Sequence, residues 1–295
     1  MERKEFLWKA LSLIPITGGA MTLTELGRMT APLSNTELMP VLFLGHGSPM
    51  NAIEDNEFVQ GWKKIGATLP KPAAILCVSA HWETNGTFVT AMPKPQTIHD
   101  FGGFPKALFD VQYPAPGSPE LARETQQLVT KTKVGLDEQW GLDHGCWSVV
   151  KHLYPHADVP VIQLSLDYNK PPQYHFELAK ELMALRRKGV LIVGSGNLVH
   201  NLRLVAWDKM NTPGFAFDWA QEAREQINGS ILSGNFEKLV RYQSQGRAWD
   251  MAIPTPDHFL PLLYTLGLRQ EKDPISLFND KAVMGSLTMT SLKIG

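Results

Sequence analysis

From Pro40 onward, short apolar runs alternate with amphipathic stretches, and that alternation admits only a few architectures. Residues 40–45 (PVLFLG), 73–79 (AAILCVS), 159–166 (VPVIQLSL) and 189–194 (GVLIVG) are β-rich and almost unbroken by polar groups. That is the pattern of strands covered on both faces. Between them, helices are expected over 119–132, which opens with proline and acid, and over 175–188. In the latter, Phe176, Leu178, Ala179, Leu182 and Leu185 recur at helical spacing. Further helices are expected over 216–233, 236–244 and 256–266. Such alternation implies an α/β fold with a central sheet, mostly parallel or mixed, and helices on both faces. No repeat of about 20–50 residues is visible, which sets solenoids and propellers aside.

The 295 residues have room for one large or two small domains. Apolar residues make up 43% and charged ones 19%, so wholesale disorder is excluded. Lys and Arg number 28 against 29 Asp and Glu, which leaves no basic field for a phosphate backbone. Nucleic acid is therefore not an expected partner. Cys77 and Cys146 have no CxxC spacing and read as small buried hydrophobes.

Residues 1–39 read as a tail or signal-like segment plus linker, and 40–295 as a single folded domain. A charged start at 1–9 precedes an apolar run, 10–23, broken by Pro15, Gly18 and Gly19 and too short to span a bilayer. Arg3-Lys4-Glu5-Phe6-Leu7 looks like a degenerate twin-arginine signal. An export signal and a surface-docked amphipathic tail both fit, so cytoplasm and periplasm both stay open. Residues 24–39 read as a polar linker.

The chemistry lies where strands end. Strand 40–45 delivers His46, strand 73–79 delivers His81, and strand 189–194 runs through GSGNLVHN (194–201) to His200. In open α/β sheets ligands collect beyond the carboxyl ends of strands, so three segments project imidazole toward one rim. Neutral imidazole binds divalent iron, zinc or copper. A fourth histidine, His258, follows PTPD (254–257); Thr255 as cap and Pro256 as first residue would place it in the opening turn of helix 256–266. His258 would complete a three-imidazole face, where a carboxylate would make the commoner two-His-one-carboxylate face.

Seven ordered segments then carry a resemblance: GHGSPMN (45–51), SAHW (79–82), TIHDFGGFP (97–105), YPAPG (113–117), LDHGCW (142–147), GSGNLVHN (194–201) and PTPDH (254–258). Together they resemble the DOPA-type extradiol ring-cleaving dioxygenases, the bacterial and plant branch of the class III, LigB-like superfamily. The resemblance runs from Pro40 to Gly295. It implies a LigB-like domain with His46, His81 and His258 as metal ligands and His200 as catalytic base. His200 is also described in this branch as a fourth metal ligand. A nitrogen bound to metal cannot accept a proton, so the expectation is base in the substrate complex and ligation in the empty site. His144 is similar to a histidine that hydrogen-bonds substrate or oxygen; a buried loop-holding histidine is its alternative.

The implied cofactor is Fe²⁺, with Zn²⁺ expected to compete for the same ligands. The implied reactants are a small DOPA-like catechol and O₂, giving a ring-opened semialdehyde by 4,5-type cleavage. His99 reads as a structural loop histidine, while His152, His156 and His175 receive no role. Trp82 and Trp147 suit either an aromatic pocket wall or ordinary core. Two other readings stand beside this one, a zinc-dependent hydrolase and a non-catalytic, MEMO-like metal-binding or interaction protein. Oligomeric state is not legible.

Overall fold

Side chains that alternate across strands sort into two separate cores. A computed structural model describes residues 37–295, so the expectations for 1–36 lie outside the described residues. Strands β1 (Val41–Gly45), β2 (Ala74–Ser79), β3 (Val161–Gln163) and β4 (Val190–Gly196) run parallel in the order β3-β2-β4-β1. Beyond β1 the sheet continues antiparallel: β5 (Ile275–Phe278) forms the edge and β6 (Ser291–Ile294) lies between it and β1. The sheet is thus mixed, as expected, although neither carboxyl-terminal strand was anticipated.

Among the described residues, the helices of eight or more residues are α1 (Glu57–Thr68), α2 (Pro119–Leu128), α3 (His144–Leu153), α4 (Pro172–Glu181), α5 (Asp218–Ser233) and α6 (Leu260–Gly267). Val41 and Phe43 point to one face and pack with Leu121 of α2, Leu178 of α4, Ile227 of α5 and Leu262 of α6. Leu42 and Leu44 point to the other and pack with Trp62 of α1 and Trp147 and Val150 of α3. Strands buried on both faces explain the near-continuous apolar runs. Cys77 and Cys146 are buried, unbridged members of the second core.

Several boundaries differ from expectation for identifiable reasons. Run 159–166 splits after Gln163 because the chain changes partners: Leu164 N–H donates to Cys77 O, and Ser165 N–H to Phe88 O. Helix 119–132 stops at Leu128, where Val129 turns extended and the Glu181 carboxylate accepts the next amides, Thr130 and Lys131. Helix 175–188 opens earlier, on Pro172, and breaks at Leu182 into α4 and a short turn at Met183–Arg186. Helix 216–233 begins at Asp218 and is closed by left-handed Gly234. Helix 236–244 shortens to Phe236–Val240 before a 3-10 turn.

The largest correction concerns 256–266. The helix starts at Leu260, and Pro256, Asp257 and His258 form the turn before it. Proline is tolerated only in the first helical turn, where its missing N–H would be unsatisfied anyway. Pro261 has that place in α6, whereas a helix opened by Pro256 would have carried Pro261 in its interior.

The register sets the functional rim. Gly45 pairs with Gly196 and Ser79 with Ser195, so β1, β4 and β2 end level and side by side. Among the described residues, no helix is long and apolar enough to cross a membrane.

Candidate metal centre and active site

The segments leaving that rim bring histidines together. His46 follows β1 directly, and its backbone N–H donates to Gly196 O at 3.1 Å. His81 follows β2 by one residue, with Ala80 N–H donating to Ser195 O at 3.0 Å. His258 is drawn in from its turn because Asn197 N–H donates to His258 O at 2.9 Å. An added Cβ on Gly196 would lie 2.1 Å from that same carbonyl oxygen, so only glycine lets the two backbones meet.

One ligating atom from each of His46, His81 and His258 lies within 4.8 Å of the others. His46 Nε2 and His81 Nε2 are 3.1 Å apart. Two nitrogens each bound at about 2.1 Å to one ion lie about 3.0–3.4 Å apart for octahedral to tetrahedral angles. The donor set and spacing therefore suit a divalent transition metal.

The second nitrogen of each ring has a partner behind it. The Ser195 hydroxyl donates to Gly145 O at 2.5 Å, so towards His46 Nδ1, 3.0 Å away, it can only accept. His46 Nδ1 therefore carries the proton and Nε2 keeps the lone pair. His258 Nδ1 donates to the Asp257 carboxylate, which again leaves Nε2 free. His81 Nδ1 faces Asp100 Oδ2 at 3.7 Å. Such backing orients ligand rings and selects their tautomers.

Electrostatics reinforce neutrality. Burial, followed by repulsion from neighbouring imidazoles, holds His46 and His81 well below 6.5. Burial pushes Asp257 up, but its hydrogen bond and charge interaction with His258 prevail and bring it to about 2.

His200 stacks face to face on His258, with ring centroids 3.5 Å apart and planes 7° from parallel. It groups with His258 and Asp257 rather than with His46 and His81. Burial, then His258, lower its pKa to about 3 against the opposing pull of Asp257. His144 opens α3, capped by Asp143, with its ring 3.8 Å from that of His81. Its Nδ1 donates to Asp100 Oδ2 at 2.9 Å and its backbone N–H to Oδ1 at 2.8 Å.

Asp143 lies deeper. Burial and the charge of Asp100 raise its pKa, while donation from Ser79 and Gln163 pulls it back. Sequence reasoning passed over Asp100, Ser195 and the Asp143 cluster. The available signal was adjacency, since His99-Asp100, Asp143-His144 and Asp257-His258 each set acid beside imidazole.

The remaining candidates stay apart from this cluster. His99 is tied to Val111 O at 3.0 Å and His152 to Asn51 O at 2.8 Å. His175 is buried beside the Tyr264 hydroxyl at 3.1 Å. Trp147 is core, with its indole donating to Ile98 O, and Trp82 is buried against Trp140. Neither borders the cavity of about 340 Å³ beside the histidines, which is lined by His200, Asn201, Leu202, Arg203, Pro254, Thr255, Asp257 and His258.

The family described as the catalytic LigB subunit of aromatic ring-opening dioxygenase matches residues 40–289. A 4,5-DOPA dioxygenase extradiol of Escherichia coli (strain K12) is 50% identical over 261 residues, covering 87% of this chain and 95% of that protein. A protein of the same name from Beta vulgaris is 35% identical, covering 88% of this chain and 98% of its own length. The crystal structure of an uncharacterized protein from Escherichia coli K12 superposes with a TM-score of 0.76 at 44% identity, over 87% of this chain and 100% of that one.

Proposed function

This chain belongs to the LigB family of aromatic ring-opening dioxygenases, and from that premise we propose that it cleaves a small DOPA-like catechol at the 4,5 position with O₂, using Fe²⁺ held by His46, His81 and His258. The catalytic domain in this reading is residues 40–295. The observation that carries it is the 3.1 Å approach of His46 Nε2 to His81 Nε2, with the rear nitrogen of His46 held by Ser195 and that of His258 by Asp257. Held by His46, His81 and His258, a divalent metal would supply Lewis-acid and redox chemistry for the reaction of catechol with O₂. Zinc competes for the same imidazoles and is the ion expected after aerobic purification.

The protein's own groups would handle binding and protons. His200 is neutral at ordinary pH and borders the cavity with His258, which supports a role in taking a phenolic proton. A base held near 3 accepts that proton readily only when an anion beside it favours the imidazolium, and the catecholate is such an anion. This leaves His200 as base in the substrate complex, with ligation reserved for the empty site. His144, fixed by Asp100, is assigned a hydrogen bond to substrate or oxygen. The buried rim around His46 and His258 limits water at the reacting atoms.

The test is anaerobic Fe²⁺ loading followed by oxygen uptake across a panel of catechols. One O₂ consumed per catechol, with a yellow semialdehyde, is the expected result. No uptake with any catechol, or ester and amide hydrolysis by the zinc form, would sink the reading.

A further inference from the structure

Immediately after His200 the chain makes a 3-10 turn, Leu202–Leu204, that is fixed from beneath. The buried Asn201 accepts Arg203 N–H on its side-chain oxygen at 3.2 Å and donates its amide to Met251 O at 2.8 Å. The Ser286 hydroxyl donates to Asn201 O at 2.8 Å. Leu202 and Arg203 project from this anchored turn, are exposed, and border the cavity that His200 and His258 share.

Arg203 is the one Lys or Arg among the lining residues. Its guanidinium has no ion-pair or hydrogen-bond partner among the described residues, unlike Arg186 with Asp273, Arg224 with Asp280 and Arg241 with Glu237. Asp257, the one carboxylate on the cavity wall, is already engaged by His258 and Thr255. An unpaired fork of donors beside the catalytic rings matches a carboxylate, which guanidinium binds in bidentate fashion.

We propose that Arg203 is a specificity-determining residue that pairs with a carboxylate on the tail of the catechol whose ring is presented to His258 and His200. This assignment rests on the catechol reading above and deepens it, because it selects catechols with an anionic tail over neutral ones. Leu202 at the same rim supplies apolar surface for the carbons between ring and carboxylate.

The test uses 3-(3,4-dihydroxyphenyl)propionate and its primary amide, which differ in charge and little in shape. Binding of each to the zinc-loaded protein is measured by calorimetry. The wild-type protein should bind the carboxylate about tenfold more tightly, with the margin shrinking as salt is added. Arg203→Met should bring the ratio close to one, and Arg203→Lys should keep part of it. Arg203 is exposed, so both variants should keep the wild-type near-ultraviolet circular dichroism.

Equal binding of the two probes by the wild type, or an unchanged ratio in Arg203→Met, overturns the proposal. Oxygen uptake by the iron-loaded protein with the same probes separates the two readings. Discrimination in binding without turnover would uphold Arg203 and count against the dioxygenase, and turnover without discrimination would do the reverse.

Discussion

His46 Nε2 and His81 Nε2 face each other at 3.1 Å, and the proton of His46 is committed to Ser195 on the far side of its ring. Two imidazoles so arranged repel unless His81 turns an Nε2–H toward His46 or a cation lies between them, and the cation requires His81 to carry its proton on Nδ1, the side facing Asp100. Their predicted consequences can be checked separately.

If His46 is a ligand and His200 the base, as proposed, their removal should give different defects. His46→Ala is expected to lose metal during gel filtration, read by elemental analysis. His200→Ala should retain most of its metal while turnover falls by about 10²–10⁴-fold. Equal metal loss in both variants would overturn the assignment of His200 as base.

Ser195 sets the tautomer of His46 from the Nδ1 side of its ring. Ser195→Ala should weaken metal binding by about 10–100-fold, measured by competition with a chromophoric chelator. Unchanged affinity would mean that packing alone orients the ring.

Asp100 accepts both the backbone and the Nδ1 proton of His144. Asp100→Asn presents an amide donor to one of them and should transfer the ring proton to Nε2, visible in the ¹⁵N shifts of His144. A fall of about tenfold or more in kcat with full metal content is expected. A normal tautomer with normal kcat would remove Asp100 from the mechanism.

Gly196 permits close passage of the His258 carbonyl. Gly196→Ala should push that turn outward, costing about 1–3 kcal/mol in denaturant unfolding and loosening the metal as well. Lost stability with intact metal affinity would show that the turn relaxes without moving its imidazole.

His175, outside the candidate metal-binding histidines, reports on acid stability. Burial lowers its pKa to about 4, partly offset by Asp167. The unfolded chain, near 6.5, therefore binds the proton first as pH falls. The stabilisation from a neutral His175 is complete above about pH 6.5 and is lost progressively towards pH 4, amounting to about 3 kcal/mol. His175→Gln should flatten the pH dependence of unfolding across that window, and an unchanged slope would refute the prediction.

The sheet was legible because β1, β2 and β4 are buried on both faces and so carry almost no polar break. β5 was not, since its partly exposed side chains offer neither a clean apolar run nor alternation. The histidines could be read as strand ends, whereas their partners could not. Ser195 lies 149 positions from His46, and Asp100 lies 44 from His144, so only tertiary structure pairs them. His258 was read in the right neighbourhood with the wrong local structure, because two prolines competed for one helix start.

The strand that carries His46 is clasped between β4 and β6, and the Ser291 hydroxyl accepts Gly45 N–H at 3.0 Å. Its scaffold thus joins stretches separated by most of the polypeptide, pairings that form slowly. A folding chain in which Ser291 has not yet docked has an open edge beside β1, so ion uptake should follow closure of this clasp. Ion uptake during refolding that outpaces closure of this clasp would contradict that order of events.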